Sequence, residues 1–166
     1  MMRSGIDCYM SQGTAEALSL SGHRLHIIKA HHQFQIGDWT IMPFETIHDA
    51  VEPLGFLMTD GKVKLLFAID TEYISHRFSG LTHILIGVNY SMEIVKSRLK
   101  SGELNSGLWR RIIKSHMSLE TLLDFLRAND LGQVRKIYLL HLSDSNSDAK
   151  LFKLKVQEVT GKEVIV

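Results

Sequence analysis

The chain has 166 residues, 45% of them apolar and 22% charged, ordinary values for a soluble globular protein and enough for one domain with a real core. Nineteen basic against eighteen acidic residues leave a formal charge of +1, which excludes a bulk electrostatic pull toward DNA, RNA or anionic membrane while leaving room for a local basic patch. The single cysteine, Cys8, excludes an internal disulfide and a cysteine-based metal cluster, and no apolar run is long enough to span a bilayer. The first seven residues lack the apolar core of a signal peptide, so the expected compartment is the cytoplasm.

Residues 6–10 are predicted to form a short strand. A helix over 13–20 follows the turn Ser11-Gln12-Gly13, with Ser21-Gly22 ending it. Strands are expected over 26–28, 33–36 and 39–44, the last two joined at Gly37-Asp38, and a hairpin over 54–59 and 63–69 turns at Asp60-Gly61. The second half alternates. A strand over 83–88 precedes helices over 92–99 and 108–114. Ser118 is placed to cap a helix carrying Leu119, Leu122, Leu123 and Leu126 at helical spacing, closed by Gly132. A strand over 136–142, a helix with Ala149, Phe152, Val156 and Val159 on one face, and a strand over 163–166 complete the chain. Strands first and β/α alternation later imply an α/β (α+β) fold: a mixed sheet with helices packed on it, whose sites gather at strand ends.

Three polar residues stand where strands should end: His48 after the strand over 39–44, Asp70 after Leu66-Phe67-Ala68-Ile69, and His141 after Ile137-Tyr138-Leu139-Leu140. A carboxylate following such an apolar run is costly to desolvate unless paired or bound to metal. Imidazole and carboxylate are the donors that Zn²⁺, Mn²⁺ or Fe accept, and a carboxylate can bridge two such ions. Taken singly, a strand-end Asp also caps turns and a strand-end His also bonds carbonyls, so the residues alone leave both alternatives open. Nine histidines and two prolines, Pro43 and Pro53, flanking His48 add to the metal reading.

The ordered set Ser11-Gln12-Gly13-Thr14, His48-Asp49-Ala50-Val51-Glu52-Pro53-Leu54-Gly55-Phe56, Ala68-Ile69-Asp70-Thr71-Glu72-Tyr73, Asn89-Tyr90-Ser91, Ser115-His116-Met117-Ser118 and Leu140-His141-Leu142-Ser143 resembles the metallo-β-lactamase superfamily. The resemblance is to its small bacterial and phage branch of WalJ/YycJ exonuclease-like and PhnP-like phosphodiesterase proteins, and spans nearly the whole chain. It implies the C-terminal part of an αββα sandwich, with helices on the outer faces of two mixed sheets. It also implies two divalent ions, Zn or Mn, hydrolysing a phosphodiester of nucleic acid or nucleotide. By resemblance, His48 is a ligand of the first metal, Asp70 the bridging carboxylate and His141 a ligand of the second. His116 and Ser118 match a His-x-Ser element beside the site that touches substrate phosphate. Asp49 is placed to orient His48. Asn89 matches the Asn of an acidic-x-Asn element whose acidic position is taken here by Gly87.

The family's His-x-His-x-Asp-His signature occurs nowhere in the chain, and His31-His32 and His23/His26 are its nearest stand-ins. Three remaining ligands split between two ions imply weak or partial metal binding. A sheet lacking its neighbouring strands implies exposed edges and apolar faces, covered by a second copy or by a separate N-terminal half. Two functions follow as expectations: part of a metal-dependent phosphodiesterase or nuclease, or a catalytically silent binding module using Trp39, Trp109 and Arg110-Arg111, although Trp39 is more readily expected in the core and Arg110-Arg111 on a solvated helix face.

Overall fold

The computed structural model describes residues 2–104 and 106–166. Short connections generate an antiparallel run of strands. β3 (Phe34–Ile36), β4 (Trp39–Glu45), β5 (Leu54–Thr59) and β6 (Lys64–Ala68) pair each with the next, and all three pairings are antiparallel. The long loop over 69–82 then carries the chain back to pair β7 (His83–Gly87) parallel with β6, and helical crossovers give the parallel pairings of β7 with β8 (Lys136–Leu140) and β8 with β9 (Glu163–Ile165). The result is a seven-stranded mixed sheet in sequential order, beside a separate parallel pair of β1 (Cys8–Met10) and β2 (Leu25–Ile27). The mixed α/β architecture expected from the sequence is the one observed.

Each long helix begins at a side-chain cap. Ser91 precedes α2 (Met92–Ser101), Ser118 precedes α4 (Leu119–Ala128) and Asp148 precedes α5 (Ala149–Thr160), each accepting a first-turn amide. Between them, α3 spans Ser106–Ile112. α4 buries Leu119, Leu122, Phe125 and Leu126; Phe125 belongs to the buried stripe, while Leu123 is only partly covered. No helix among the described residues is long and apolar enough to cross a membrane.

Four local expectations need correction. α1 runs Gln12–Ala17 and stops before Leu20, because Ser19 takes the left-handed conformation (φ 52°) and Leu20 N–H returns to Ala15 O. α4 stops at Ala128, not Gly132, because Asn129 leaves the helical conformation and its Nδ2 donates to Phe125 O. The β5–β6 turn is four residues, 60–63, in which Asp60 Oδ1 accepts the Lys62 and Val63 amides; these two bonds hold the Asp60 carboxyl below its ordinary pKa. Trp39, expected in the core, is only partly buried, because its side chain lies on the sheet face away from the helices, which Tyr9 covers only at Phe34 and its neighbours.

That asymmetry organises the fold. Leu66, Ala68, Ile84, Ile86, Ile137 and Leu139 alternate onto one face and are buried with Leu122 and Leu126 of α4 and Phe152 and Val156 of α5. The opposite face carries Phe34, Ile36, Trp39, Ile41, Phe56, Met58, Leu65 and Phe67 around shallow apolar depressions.

Candidate metal centre

Strand direction brings the three strand-end residues to one rim. β6, β7 and β8 run parallel, and β4 runs parallel to β6 because two antiparallel steps separate them. Asp70, His141 and His48, each just past a strand's C-terminal end, therefore emerge along the same edge. The backbone is bent to deliver two of them: Asp70 (φ 53°) and His141 (φ 58°) both adopt the left-handed conformation that non-glycine residues rarely take. β7 passes so close to the first bend that a Cβ on Gly87 would stand 3.2 Å from Ile69 Cα and 3.3 Å from Asp70 N. Asn89 Nδ2 donates to His141 O (3.0 Å), and Ser143 N–H donates to Asn89 O (3.0 Å), fixing the second bend. Through these two bonds Asn89 serves as a backbone clamp.

Asp70, His116 and His141 bring ligating atoms within 4.8 Å of one another. His141 Nε2 lies 2.9 Å and His116 Nε2 3.6 Å from Asp70 Oδ1. Despite these approaches, Asp70 Oδ1 is shielded from solvent and accepts no hydrogen bond. The His116 and His141 rings stack at 5.3 Å, and His48 meets His116 edge-on at 5.2 Å. The grouping thus differs from the sequence expectation: His116, expected beside the site, stands in the three-residue cluster, and His48 stands one ring further out.

Ser115 sets the tautomers. Its hydroxyl donates to Arg111 O (2.9 Å), so its contact with His116 Nδ1 (2.8 Å) must be accepted from a ring N–H. Its carbonyl, an acceptor only, takes the Nδ1–H of His48 (2.7 Å). In the neutral state both rings therefore leave Nε2 with a free lone pair, the form a metal requires. Burial pushes the His116 pKa below its ordinary 6.5, opposed by the Asp70 charge and reinforced by His48 and His141, so the ring stays neutral at neutral pH. Ser115 was quoted within the motif but given no role; only the tertiary packing of α3's end against His48 reveals it.

Asp49 Oδ1 stands 3.2 Å from His48 Nε2, and Arg111 Nε donates to Asp49 Oδ2 at 3.0 Å. That bond holds the Asp49 carboxyl below its ordinary pKa and draws Arg111, expected as part of a solvated helix face, toward the rim. The loop behind His48 is tied on two sides. Ser11 Oγ donates to Glu52 O (2.8 Å) and Gly13 N–H to Glu52 Oε2 (2.6 Å), while Ile47 N–H donates to Thr71 Oγ1 (3.0 Å) and Glu72 N–H to Ile47 O (2.8 Å).

Ser118 does not reach the rim. It is buried, and its Oγ accepts the Thr121 amide at 3.0 Å as the cap of α4, so the substrate-touching role expected for it has no geometric basis. Trp109 packs edge-on against Tyr90 at 5.0 Å; burial pushes the Tyr90 hydroxyl up to about 12. Nor do the stand-in histidines join the rim. His26 pairs with Asp7 (3.1 Å) and stacks on Tyr9, His31 pairs with Glu45 (2.7 Å), His32 contacts Ala30 O, and His23 is exposed in the turn before β2.

The mixed sheet with helices over one face has the metallo-β-lactamase fold: the chain superposes on YhfI, a metallo-β-lactamase fold protein from Bacillus subtilis, with TM-score 0.63 at 14% identity over 94% of this chain and 59% of YhfI. Igni18, a metallo hydrolase from the archaeon Ignicoccus hospitalis, superposes with TM-score 0.65 at 15% identity over 100% of this chain and 67% of its own. A diphosphatase of the PhnP family superposes with TM-score 0.60 at 13% identity over 95% of this chain and 54% of its own. By sequence, the chain is 29% identical over 160 residues to the exodeoxyribonuclease WalJ of Streptococcus pneumoniae, covering 89% of this chain and 58% of WalJ. It is 27% identical over 129 residues to the exodeoxyribonuclease YycJ of Bacillus anthracis, covering 74% of this chain and 47% of YycJ. The chain thus spans about half the length of the curated relatives it matches. No protein-family model matches it.

Proposed function

We propose that Asp70, His116 and His141, with His48 beside them, are the share of a divalent-metal centre that this chain contributes to a hydrolase of phosphodiester bonds in nucleic acid or a nucleotide. One observation carries the reading. Asp70 Oδ1 is enclosed, accepts no hydrogen bond, and faces two imidazole nitrogens at 2.9 and 3.6 Å. An enclosed carboxylate oxygen without a donor is costly unless a cation compensates it. A set of one carboxylate and two imidazoles suits Zn²⁺ or Mn²⁺, so the residues fit the group that the class implies.

A bound ion would act as Lewis acid and charge sink for the phosphoryl oxygens. The chain's own groups prepare that role. Ser115 holds His116 and His48 with Nε2 outward, Asn89 and Gly87 fix the bends that carry His141 and Asp70, and the Asp49–Arg111 pair sets a cationic side chain beside His48. His48 lies outside the three-residue cluster, so it serves a second ion whose other ligands come from outside these 166 residues.

The likeness to exodeoxyribonucleases and to a PhnP-family diphosphatase supports the nuclease or phosphodiesterase reading over other hydrolyses. The test is hydrolysis of bis-p-nitrophenyl phosphate with added Mn²⁺ or Zn²⁺. The expected outcome is a metal-dependent rate that Asp70→Ala lowers at least about a hundredfold, the scale on which a lost ligand acts. A rate untouched by Asp70→Ala overturns the proposal.

A further inference from the structure

Away from Asp70, His31, Glu45 and His76 also bring ligating atoms within 4.8 Å of one another. We propose that these three residues form a second, separate metal site of two imidazoles and one carboxylate, selecting Zn²⁺ or a similar borderline transition-metal ion.

Three unrelated segments converge to make it. Glu45 is the last residue of β4. His31 sits in the β2–β3 loop in the left-handed conformation (φ 61°), held there by its N–H donating to Pro43 O (2.8 Å), and its Nε2 lies 2.7 Å from Glu45 Oε2. His76 comes from the loop after Asp70, wedged against Phe44 and Phe78 (ring centroids 5.5 and 6.2 Å), with its ring 5.8 Å from that of His31.

A surface ion pair accounts for His31 and Glu45, which are both more than half exposed. It does not account for His76, whose Nδ1 is enclosed and has no hydrogen-bond partner. An imidazole nitrogen in that state carries a desolvation cost that coordination to a cation removes. Donors around a zinc ion stand about 2.0–2.2 Å from it and so roughly 3.3 Å from one another. The exposed side chains of His31 and Glu45 reach that spacing by small rotations. With no thiolate present, imidazole and carboxylate favour Zn²⁺, Co²⁺, Ni²⁺ or Cu²⁺ over Mg²⁺ or Ca²⁺. The exposed side of the cluster leaves a fourth position for water. Such an ion would staple the 69–82 loop, which carries Asp70 at its start, to the end of β4, three residues before His48, and so stiffen the rim from outside it.

The proposal stands apart from the phosphodiesterase reading and is tested with the rim removed. In full-length Asp70→Asn/His116→Ala/His141→Ala protein with an unchanged circular dichroism spectrum, zinc titration against a chromophoric chelator should still find one equivalent. Co²⁺ in its place should give visible d–d absorption. His31→Ala, Glu45→Gln and His76→Ala should each weaken zinc binding at least tenfold. His31 and Glu45 are exposed, so a folding defect in the His76 variant leaves the test intact. No zinc bound in the rim-deleted background, or binding that His31→Ala and Glu45→Gln leave unchanged, overturns the proposal.

Discussion

The two faces of the central sheet are built from the same residue types and meet opposite fates. On β6, Leu66 and Ala68 are fully buried beneath the helices, while Leu65 and Phe67, one residue away, are only partly covered. β8 repeats the pattern, with Ile137 and Leu139 buried and Tyr138 and Leu140 not. Strands that alternate apolar with polar face water on one side, whereas near-continuous apolar runs such as Lys64–Ala68 and Lys136–Leu140 belong to sheets covered on both. The difference teaches that the composition of these strands suits a sandwich, of which the described helices supply one covering layer.

The largest expected contrast comes from truncating the covered face. Phe152→Ala, which empties a fully buried site between α5 and the sheet, should cost about 3–5 kcal/mol in a urea melt. Leu65→Ala on the open face should cost under about 1 kcal/mol; equal losses would mean that the second face is covered in solution. At the edge where the faces meet the rim, Gly87→Ala should cost about 1–3 kcal/mol, because its Cβ would press on the Ile69–Asp70 backbone. It should also weaken metal binding more than its stability loss explains, and an unchanged affinity would show that Asp70 tolerates displacement. Ser118→Ala should cost about 1 kcal/mol through loss of the α4 cap while leaving hydrolysis per folded molecule unchanged; a selective loss of turnover would restore Ser118 to the site.

Acidification separates the rim from both faces. Because burial lowers the His116 pKa in the folded chain, the unfolded chain takes up that proton first as pH falls. The stability of the metal-free chain is therefore complete above the ordinary 6.5 and declines as pH falls from there through the lowered folded value. His116→Gln should flatten that decline in melts between about pH 7 and 5; an unchanged slope would assign it to another group. The smallest effect on stability, under about 0.5 kcal/mol, is expected from Met58→Lys on the open face, yet this change should alter association most. Light scattering should find the parent chain self-associated and the variant monomeric, and a parent that is a cooperative monomer would break the two-face comparison.

Much of this was legible in the sequence because the signals are local. The apolar runs of β5 and β8, the cap Ser118, and the turn beginning at Asp60-Gly61 act within a few residues, and their elements appear where the pattern put them. So did the strand-end positions of His48, Asp70 and His141, for a polar residue closing an apolar run is visible without knowing its neighbours. What the tertiary structure alone decided are the relations between distant segments. It drew His116 rather than His48 into the cluster with Asp70 and His141, made Ser115 the keeper of two imidazole tautomers, turned Asn89 into a clamp on His141, buried Ser118, and gathered His31, Glu45 and His76. Such contacts depend on strand order, strand direction and the left-handed bends at Asp70, His141 and His31, and these are settled by packing across the sheet rather than by any short stretch of chain.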